Sequence, residues 1–473
     1  MTPTTNIEIN EPILRRVGAI AAEQKIVAYV VGGFVRDALL GKRVRDIDVV
    51  VIGGGIDFAR VVASRLENAT LVVFERFGTA QLQLDEFKLE FVGSRKESYN
   101  KDSRKPAVAP GTLEEDLSRR DFTINALAAS LREDRMGVVV DPFDGQKDLT
   151  AKILRTPLDP RTTFDDDPLR IMRAFRFAAQ LEFTVASDVL EAAQSMHERL
   201  AIVSQERITE EFLKILQSPK PSIGLKLMFD TGVMELVFPE VAKLAGVDQR
   251  QDHHHKDVFL HTLMVLDNIA TTTENVWLRF AALLHDLAKP KTKAFKEGIG
   301  WTFHGHEELG ARLVKPIFRR MKLPLEHVPY IEKLVRLHLR PMALVDAEVT
   351  DSAVRRLLFD AGEEIDDLML LCSADITSKN PKLVERVKRN YELVVEKMKE
   401  VEQKDRMRNW QPPLRGDEIM QICGLPAGPS IGLLKDAITE AILEGTIPND
   451  HDAALNHLLQ IKDHLLATAP VRK

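Results

Sequence analysis

The stretch from Val31 to Ile52 places the strongest constraint on the fold of this chain. It opens on a glycine pair and ends with the letters DIDVVVI. The β-branched residues after the second aspartate predict a buried strand. Because side chains at positions i and i+2 of a strand point the same way, we expect Asp46 and Asp48 on one face at the start of that strand.

This arrangement suits metal-assisted phosphate chemistry. Two carboxylates at a strand end can share a pair of Mg²⁺ ions about 4 Å apart. The glycine pair, Gly32 and Gly33, lets backbone amides approach a phosphate closely, and Arg36 can pair with the phosphate oxygens. Glycine pairs and solvated D-x-D sequences are each common without a site, so the prediction depends on their combination.

A second polar cluster lies in EEDLSRRDFTINALA, residues 114–128. Arg120 can neutralise triphosphate charge, while Asp121 and Asn125, four residues apart, can share a helix face and order a loop or a ribose. We expect this cluster to enter an apolar helix. The preceding residues 94–112 are polar and basic and predict a long flexible loop. Glu90 is a possible third carboxylate, although an exposed strand residue is the simpler interpretation.

The segment FDDDPLRIMRAFRFAAQLEF, residues 164–183, predicts an amphipathic helix that begins at Pro168. Its apolar stripe comprises Leu169, Met172, Phe175 and Ala179. Arg170, Arg173 and Arg176 recur every third residue and fan across about 120° of one side. A bound polyanion or a base edge would relieve their repulsion. The alternative is a groove that faces an acidic neighbouring helix.

Histidines gather in the second half of the chain. The pair His285-Asp286 interrupts an apolar helical pattern, where burial is costly unless the side chains bind a metal or form hydrogen bonds. His and Asp side chains spread over several helices suit one or two divalent metals. The ordered set is His261, His285, Asp286, His306, His338 and Asp375. Each of these histidines alone would be a core residue, and 253–255 (HHH) fit no ligand pattern.

Composition limits the classes of protein to which the chain can belong. Its 473 residues predict several domains, and only two cysteines indicate a reducing cytoplasm. No apolar run reaches the roughly 18 residues of a membrane span, and the N-terminus does not resemble a signal peptide. The net charge of −6 argues against indiscriminate nucleic-acid binding. Two basic stretches, Lys315–Arg340 and Lys379–Arg408, fit either an RNA surface or solvated helices.

Taken together, GG-x-x-R-D, D-x-D, RRDFTINA and DDPLR resemble the class II tRNA nucleotidyltransferase and bacterial poly(A) polymerase family. The histidine set resembles the HD-domain metal phosphohydrolases. The resemblance covers nearly the whole chain. It implies an α+β fold with a polymerase β-like nucleotidyltransferase head, a small mixed sheet with helices, at residues 1–150. All-α domains follow: a neck at 151–245, an HD domain at 246–400 and a tail at 401–473.

The resemblance also implies roles for individual residues. Asp46 and Asp48 would be catalytic and hold Mg²⁺, and Asp167 with Arg170 would select the base by hydrogen bonds to its edge. Asp166 stands where the family usually has Glu. The nucleotide would be bound by Gly32, Gly33, Arg36, Arg120, Asp121, Asn125, Arg173 and Arg176. The minimal HD metal set would be His261, His285, Asp286 and Asp375, with His306 and His338 as further ligands. The choice among Mn, Ni, Mg and Fe stays open.

The implied activity is CCA addition, in which CMP and AMP pass from CTP and ATP to a tRNA 3′ end with release of pyrophosphate. The partners would be tRNA, ATP and CTP in the cytoplasm, without a membrane, and the HD domain can add a phosphohydrolase activity. Alternatives within the class are a poly(A) polymerase and an enzyme that adds only A or only CC. Alternatives outside it are an HD phosphohydrolase whose head grips RNA, and a non-catalytic RNA-binding protein.

Overall fold

The computed structural model describes residues 5–100, 103–247, 257–298, 300–346, 350–377, 381–405, 407 and 410–468. The chain forms two compact units, Met1–Pro239 and Glu240–Lys473, and each is described by itself. Among the helices in these ranges, none combines the length and apolar character needed to cross a membrane. The predicted boundaries near residues 150, 245 and 400 stay predictions.

A seven-stranded mixed sheet forms the centre of the first unit, with the order β3-β4-β5-β2-β1-β8-β9. Strands β2 and β5 pair in parallel, and the other neighbours pair antiparallel. This confirms the predicted small mixed sheet. The strands up to β9, including the separate hairpin β6–β7, are β1 Val27–Val31, β2 Asp46–Ile52, β3 Thr70–Phe74, β4 Thr79–Leu84, β5 Phe87–Gly93, β6 Arg95–Asn100, β7 Ser103–Pro110, β8 Ala128–Ser130 and β9 Val139–Val140.

Helices cover the sheet and continue beyond it in the first unit. They are α1 Pro12–Glu23, α2 Gly33–Leu39, α3 Gly55–Arg65, α4 Leu113–Ser118, α5 Gly145–Ala151, α6 Pro160–Asp166, α7 Leu169–Leu181, α8 Ser187–Met196, α9 Gln205–Gln217, α10 Pro221–Asp230 and α11 Val233–Val237. Helix α12, Pro239–Ala242, lies at the boundary between the units. Two short parallel strands, β10 Ile153–Leu154 and β11 Thr184–Val185, flank α7.

Alternation along β2 places the two aspartates. Val49 and Val51 belong to the main core, where Phe58 of α3 packs edge-on against Phe91 of β5 at 5.8 Å. Val50 belongs to a smaller cluster on the opposite face. Asp46 and Asp48 share the face of Val50 because they differ from it by even numbers of residues, and both carboxylates are exposed there.

Two local predictions for the head were wrong. Instead of a flexible loop, strands β6 and β7 pair antiparallel, and backbone hydrogen bonds hold them without an apolar pattern. The polar cluster does not enter an apolar helix but leads into a 3₁₀ turn, Thr123–Asn125, and then β8, because the chain there joins the sheet beside β1.

The amphipathic helix was predicted correctly. Helix α7 begins at Leu169, directly after Pro168, and packs against α9 and α10. All four residues of the predicted apolar stripe are buried. Because α7 is fixed along this stripe, its remaining faces have defined directions.

The second unit is almost entirely helical, as predicted. Its elements are α13 Val258–Ala270, α14 Val276–Leu284, α15 Lys289–Thr292, β12 Ala294–Lys296, β13 Gly300–Thr302, α16 His306–Arg320, α17 Val328–Leu337, α18 Arg340–Asp346, α19 Asp351–Ala361, α20 Ile365–Ala374, α21 Pro381–Asp405, α22 Gly416–Cys423, α23 Pro429–Leu443 and α24 His451–Thr468. The histidines at 253–255 lie outside the described residues.

Candidate active site

Three carboxylates meet at the start of β2. Parallel pairing aligns Glu90 of β5 with Asp48, and Asp46 stands two residues earlier on the same face. Asp48 stays accessible to solvent, yet the protein packed around it raises its pKa; Arg120 opposes that rise and Asp46 adds to it. Burial and the charge of Asp48 raise the pKa of Glu90. A divalent cation would relieve this crowding, and the oxygen-only donor set suits Mg²⁺.

The glycine pair forms the start of α2 beside these carboxylates. Gly32 has φ +69°, which favours glycine, and a Cβ there would lie 2.8 Å from Nη1 of Arg120. The same Cβ would lie 3.8 Å from Oδ2 of Asp48. The absence of a side chain at Gly32 therefore lets backbone, guanidinium and carboxylate approach one another. The first N–H groups of a helix, here those that begin at Gly33, lack helical partners and favour an anion.

A buried carboxylate holds two arginines at the cleft. Asp116 of α4 has no exposed surface, and it accepts hydrogen bonds from Arg119 at 2.6 Å and from Arg120 at 3.4 Å. Within the described residues, the buried Nε of Arg120 has no hydrogen-bond partner. Arg120 therefore keeps a donor for a ligand oxygen. Asp116 was not predicted, although its spacing of four residues from Arg120 is typical of a helical ion pair.

A hydrogen-bonded chain runs from α2 to α7. Arg36 bonds to both carboxylate oxygens of Asp37, each at 2.8 Å, and donates to Oδ1 of Asn125 at 2.8 Å. Asn125 donates to Oδ1 of Asp121 at 2.9 Å, and Arg173 donates to Oδ2 of Asp121 at 2.7 Å. Burial alone would raise the pKa of Asp121, but Arg173 and Asn125 lower it to about 2. Arg36 is thus occupied by protein partners.

Protein hydrogen bonds hold Asp167 and Arg170, the pair predicted to select the base. Asp167 accepts from the backbone N–H of Leu169 at 3.2 Å and from Arg207 of α9 at 2.9 Å. Arg170 donates to the carbonyl oxygens of Thr163 and Arg119. Both side chains are therefore oriented before any nucleotide binds. Arg207 was not predicted as a site residue.

Arg176 points away from this cleft. Its Nε donates to Glu211 of α9 at 2.6 Å, and its guanidinium lies 3.9 Å from the ring centre of Phe177. Glu211 is itself buried. Of the three α7 arginines, Arg176 therefore follows the alternative that we considered, a groove that faces an acidic neighbouring helix.

One cavity of about 400 Å³ joins these groups. Its wall contains Asp48 together with Asp167 and Arg170, the juxtaposition that the predicted roles require. The full lining is Gly32, Gly33, Asp48, Arg119, Arg120, Asp121, Asn125, Asp167, Leu169, Arg170, Arg173, Phe177 and Arg207. Among the described residues, neither Arg36 nor Arg176 lines it.

The predicted metal ligands of the second unit converge from five helices. All are buried except Asp375, which is partly exposed. They are His261 within α13, His285 and Asp286 after α14, His306 at the start of α16, His338 after α17 and Asp375 after α20. The prediction that His285-Asp286 interrupts a helix was wrong in one respect: α14 ends at Leu284, directly before the pair.

Asp286 lies between two groups of histidines. Its Oδ2 is 3.5 Å from Nε2 of His261 and 3.2 Å from Nε2 of His285. Its Oδ1 is 3.3 Å from Nε2 of His306 and 3.8 Å from Nε2 of His338. Each group can hold a metal ion, and the two groups share Asp286. This arrangement fits a pair of metals bridged by one carboxylate.

The surroundings of the histidines orient their Nε2 atoms inward. The Nδ1 atoms of His285, His306 and His338 lie 2.6–2.7 Å from backbone carbonyl oxygens three residues earlier. Such contacts fix the ring and leave Nε2 for a metal. Within the described ranges, Nε2 of His285 and Oδ1 of Asp286 are buried without hydrogen-bond partners. Buried polar atoms are rarely left so, and a divalent cation would satisfy both.

The charges of this centre depend on one another. Burial alone would lower the pKa of His285, but Asp286 raises it to about 10. Burial and the neighbouring His285 lower the pKa of His338 to about 4. Lys289 lies 2.7 Å from Asp286. The pKa of each of these two histidines therefore depends on Asp286 and on the other histidine.

The basic stretch Lys315–Arg340 is largely paired with acids of the same unit. Arg320 bonds to Glu240 at 2.5 Å, Lys333 to Glu364 at 2.6 Å and Arg336 to Glu308 at 2.7 Å. This pattern favours solvated helices over an RNA surface. In Lys379–Arg408, Lys397 bonds to Asp351 at 2.9 Å.

Comparisons with known proteins match this architecture. Family models match for the Poly A polymerase head domain at residues 28–155, the probable RNA and SrmB-binding site of polymerase A at 182–244, and the HD domain at 258–379. The chain is 32% identical over 436 residues to an A-adding tRNA nucleotidyltransferase of Deinococcus radiodurans, which covers 90% of this chain and 94% of that protein. It is 36% identical over 367 residues to a multifunctional CCA protein of Methylococcus capsulatus, covering 74% and 81%.

A solved structure agrees with these matches. It is a tRNA nucleotidyltransferase complexed with a primer tRNA and an incoming ATP analog, and its TM-score against this chain is 0.59 at 26% identity. The similarity covers 82% of this chain and 99% of that one. The order of the matched segments along the chain is the order that the motifs predicted.

Proposed function

The chain belongs to the tRNA nucleotidyltransferase family with a poly(A) polymerase head domain, and from this premise we propose that it transfers CMP and AMP from CTP and ATP to the 3′ end of tRNA. One observation supports this most: a single cavity has Asp48 on its wall together with Asp167 and Arg170. Reaction and base selection can therefore take place on one bound nucleotide.

Different residues of the cleft would serve different steps of a nucleotidyl transfer. The tRNA 3′-hydroxyl oxygen attacks the α-phosphorus, the bond to the β-phosphate oxygen breaks, and pyrophosphate leaves while the hydroxyl proton passes to solvent. Asp46 and Asp48, with Glu90 beside them, would hold Mg²⁺, which supplies charge neutralisation to attacking and leaving oxygens. Arg120 and the start of α2 would hold the triphosphate.

Arg173 and Asn125 contribute through Asp121, which they hold at the cleft wall. Asp167 and Arg170 would present an acceptor and donors to the base edge. Cytosine and adenine both expose an amino group that can donate a hydrogen bond to a carboxylate. Guanine and uracil present a carbonyl oxygen, an acceptor, at that position. Arg207 and two backbone carbonyls would hold the pair in the orientation that this selection needs.

The experiment combines tRNA that ends at the discriminator base with CTP and ATP, and the products are separated by length. We expect addition of three nucleotides. Tails of A alone, or tails longer than three, would contradict CCA addition. Addition of A alone is the second candidate, because the Deinococcus radiodurans relative, which this chain matches over 94% of its length, carries that name. A tRNA that already ends in CC, offered ATP, separates the two.

The double change Asp46→Ala with Asp48→Ala tests the site. It should abolish nucleotide addition and leave any phosphodiesterase activity of the second unit intact. Asp134→Ala is the matched control, because within the described residues this exposed aspartate forms its ion pair with Arg132 at the surface of the same unit. Persistence of addition in the double variant would favour the rival function, an HD phosphohydrolase whose head grips RNA.

We propose a second activity, metal-dependent phosphohydrolysis, for the centre around Asp286. The two ligand groups that share this carboxylate support it. Elemental analysis of the purified protein would identify the metal among Mn, Ni, Mg and Fe. We also propose the cytoplasm as the compartment, because tRNA is available there and the unpaired Cys372 and Cys423 stay reduced.

A further inference from the structure

An exposed hairpin joins two of the metal-ligand segments in the second unit. Strands β12 and β13 pair antiparallel, with Phe295 opposite Trp301. The two rings meet edge to face at 5.3 Å, and they keep 54% and 38% of their surface exposed. The two rings therefore form an exposed aromatic pair and not a single scattered apolar side chain.

The hairpin is also strongly basic in a chain of net charge −6. Residues 289–303 contain four lysines and one acid, Glu297. Lys293 lies over the ring of Trp301 at 4.4 Å. Within the described ranges, Lys291, Lys293 and Lys296 take part in no ion pair, in contrast to the paired cations of Lys315–Arg340.

Direct contacts connect the hairpin to the metal-ligand centre. Lys289, at its base, lies 2.7 Å from Asp286 and 5.6 Å from the ring centre of Phe303. The carbonyl oxygen of Phe303 lies 2.7 Å from Nδ1 of His306. A ligand that lies along Trp301 and Phe295 is therefore adjacent to residues that touch two of the proposed metal ligands.

We infer that this hairpin, defined by residues 289–303, binds single-stranded RNA and leads its phosphate-bearing end to the centre around Asp286. Aromatic rings stack on bases of any sequence, and lysines follow the phosphates between them. The inference deepens the proposed phosphohydrolase function and rests on it for the chemistry, but binding itself is independent of catalysis. Duplex RNA does not fit, because its bases are already stacked on one another.

Charge and ring chemistry favour RNA over an acidic membrane. A membrane patch buries aliphatic as well as aromatic side chains. Among the described residues of the hairpin, the exposed large apolar groups are two rings in contact, with a lysine over one of them. The site beside the hairpin also has a donor set suited to phosphoesters. Binding to anionic vesicles is accordingly an outcome of the test that counts against the inference.

The test uses the full chain and a short 5′-labelled single-stranded oligoribonucleotide, with binding followed by fluorescence anisotropy. The double change Phe295→Ala with Trp301→Ala should raise the Kd at least about tenfold, the effect of losing one or two stacked bases. Phe77→Ala is the matched control, because this ring is 66% exposed but lies in the first unit. It should change the Kd by less than about twofold.

Two further measurements keep the test decisive if the aromatic double variant fails to fold. Changing Lys291, Lys293 and Lys296 together to Gln should reduce the slope of log K against log salt by about 2, since each phosphate contact on a single strand contributes about 0.7. A photoreactive 4-thiouridine probe should crosslink to peptides within residues 289–303. Crosslinks confined to the first unit would overturn the inference.

Other outcomes separate this inference from the proposed functions. The hairpin variants should keep nucleotide addition, and they should hydrolyse a small phosphodiester such as bis(p-nitrophenyl) phosphate at an unchanged rate. A KM that rises for a 3′-phosphorylated oligoribonucleotide, but not for the small phosphodiester, would support RNA binding by the hairpin. Three outcomes would refute the inference. The first is an unchanged Kd for the oligoribonucleotide in the aromatic double variant, and the second is duplex RNA that competes as well as single-stranded RNA. The third is a double variant that loses binding to anionic vesicles but keeps binding to RNA. Absence of hydrolysis in the unaltered protein would refute the phosphohydrolase but leave the binding result valid.

Discussion

Arg173 donates both Nε and Nη2 to a single oxygen of Asp121, and this pair links helix α7 to the turn that follows α4. The other oxygen of Asp121 accepts from the backbone N–H of Phe122 and from Asn125. The carboxylate is therefore saturated by protein donors, and it holds the wall that carries the base-selecting residues against the wall that carries Asp48.

The pair makes the stability of the first unit depend on pH. Because the pKa of Asp121 falls from 3.8 to about 2 on folding, its contribution is complete above about pH 4 and is lost as the pH falls through about 2. We expect the difference in unfolding free energy between the unaltered protein and Asp121→Asn to shrink by about 2 kcal/mol from pH 5 to pH 2. Asp134→Asn, which alters an exposed pair, should show no such change.

Urea unfolding followed by two signals measures this. Trp277, Trp301 and Trp410 all lie in the second unit, so tryptophan fluorescence reports that unit, whereas far-UV circular dichroism reports both. The pH effect should occur in the dichroism transition and not in the fluorescence transition. If the difference in unfolding free energy stays constant between pH 5 and pH 2, the pair with Arg173 does not lower the pKa of Asp121.

Two arginines that look alike in sequence should behave differently. Arg120→Ala should reduce kcat/KM for both ATP and CTP by about 10- to 100-fold, since it removes charged hydrogen bonds worth about 1.5–3 kcal/mol. Arg176→Ala should change kcat/KM less than threefold but lower the unfolding free energy by about 2 kcal/mol, because it removes the nearer of two cations that pair with the buried Glu211 and leaves only Lys214 at 3.2 Å. Steady-state kinetics and urea unfolding check both. A large kinetic defect in Arg176→Ala would indicate that Arg176 contacts the triphosphate, as the resemblance implied.

If Asp167 selects the base as we propose, Arg207 should act as its positioning residue. Arg207→Ala should free one oxygen of Asp167 and lower discrimination of ATP against GTP about tenfold, with less effect on the KM for ATP. Arg207→Lys should recover part of the discrimination. Arg199→Ala is the matched control, because Arg199 forms a similar pair with Asp165 at 2.9 Å. Equal loss in both variants would indicate a structural effect only.

The second unit should be stabilised by a divalent metal. Protein stripped with a chelator should unfold at lower temperature by tryptophan fluorescence, and metal at about 100 times its Kd should restore about 2.7 kcal/mol. His285→Ala should lose this response, since it removes a ligand of one group. His451→Ala, an exposed histidine paired with Glu418, should keep it. A response retained in His285→Ala would contradict the assigned ligands.

The sequence predicted these sites best where a residue's role follows from its neighbours in the chain. Asp46 and Asp48 were placed by strand alternation alone, and the stripe of α7 by helical spacing. Arg36 and Arg176 could not be separated from Arg120, because their partners Asn125 and Glu211 are distant in the chain. Arg207 was missed for the same reason, since Asp167 lies 40 residues away, whereas Asp116 was missed although its partners Arg119 and Arg120 are near in sequence. The hairpin at 95–110 lacks an apolar pattern, so periodicity could not reveal it.

Hydrocarbon side chains under the sheet keep the chemistry in alignment. Asp48 faces Glu90 only because Val49 and Val51 are locked in the core one step away on the same strand. A slip of one residue between β2 and β5 would turn both aspartates inward and bring valines to the surface. Residues of the cleft walls can therefore change during evolution without moving the carboxylates of β2 and β5, because buried hydrocarbon fixes the register of these strands.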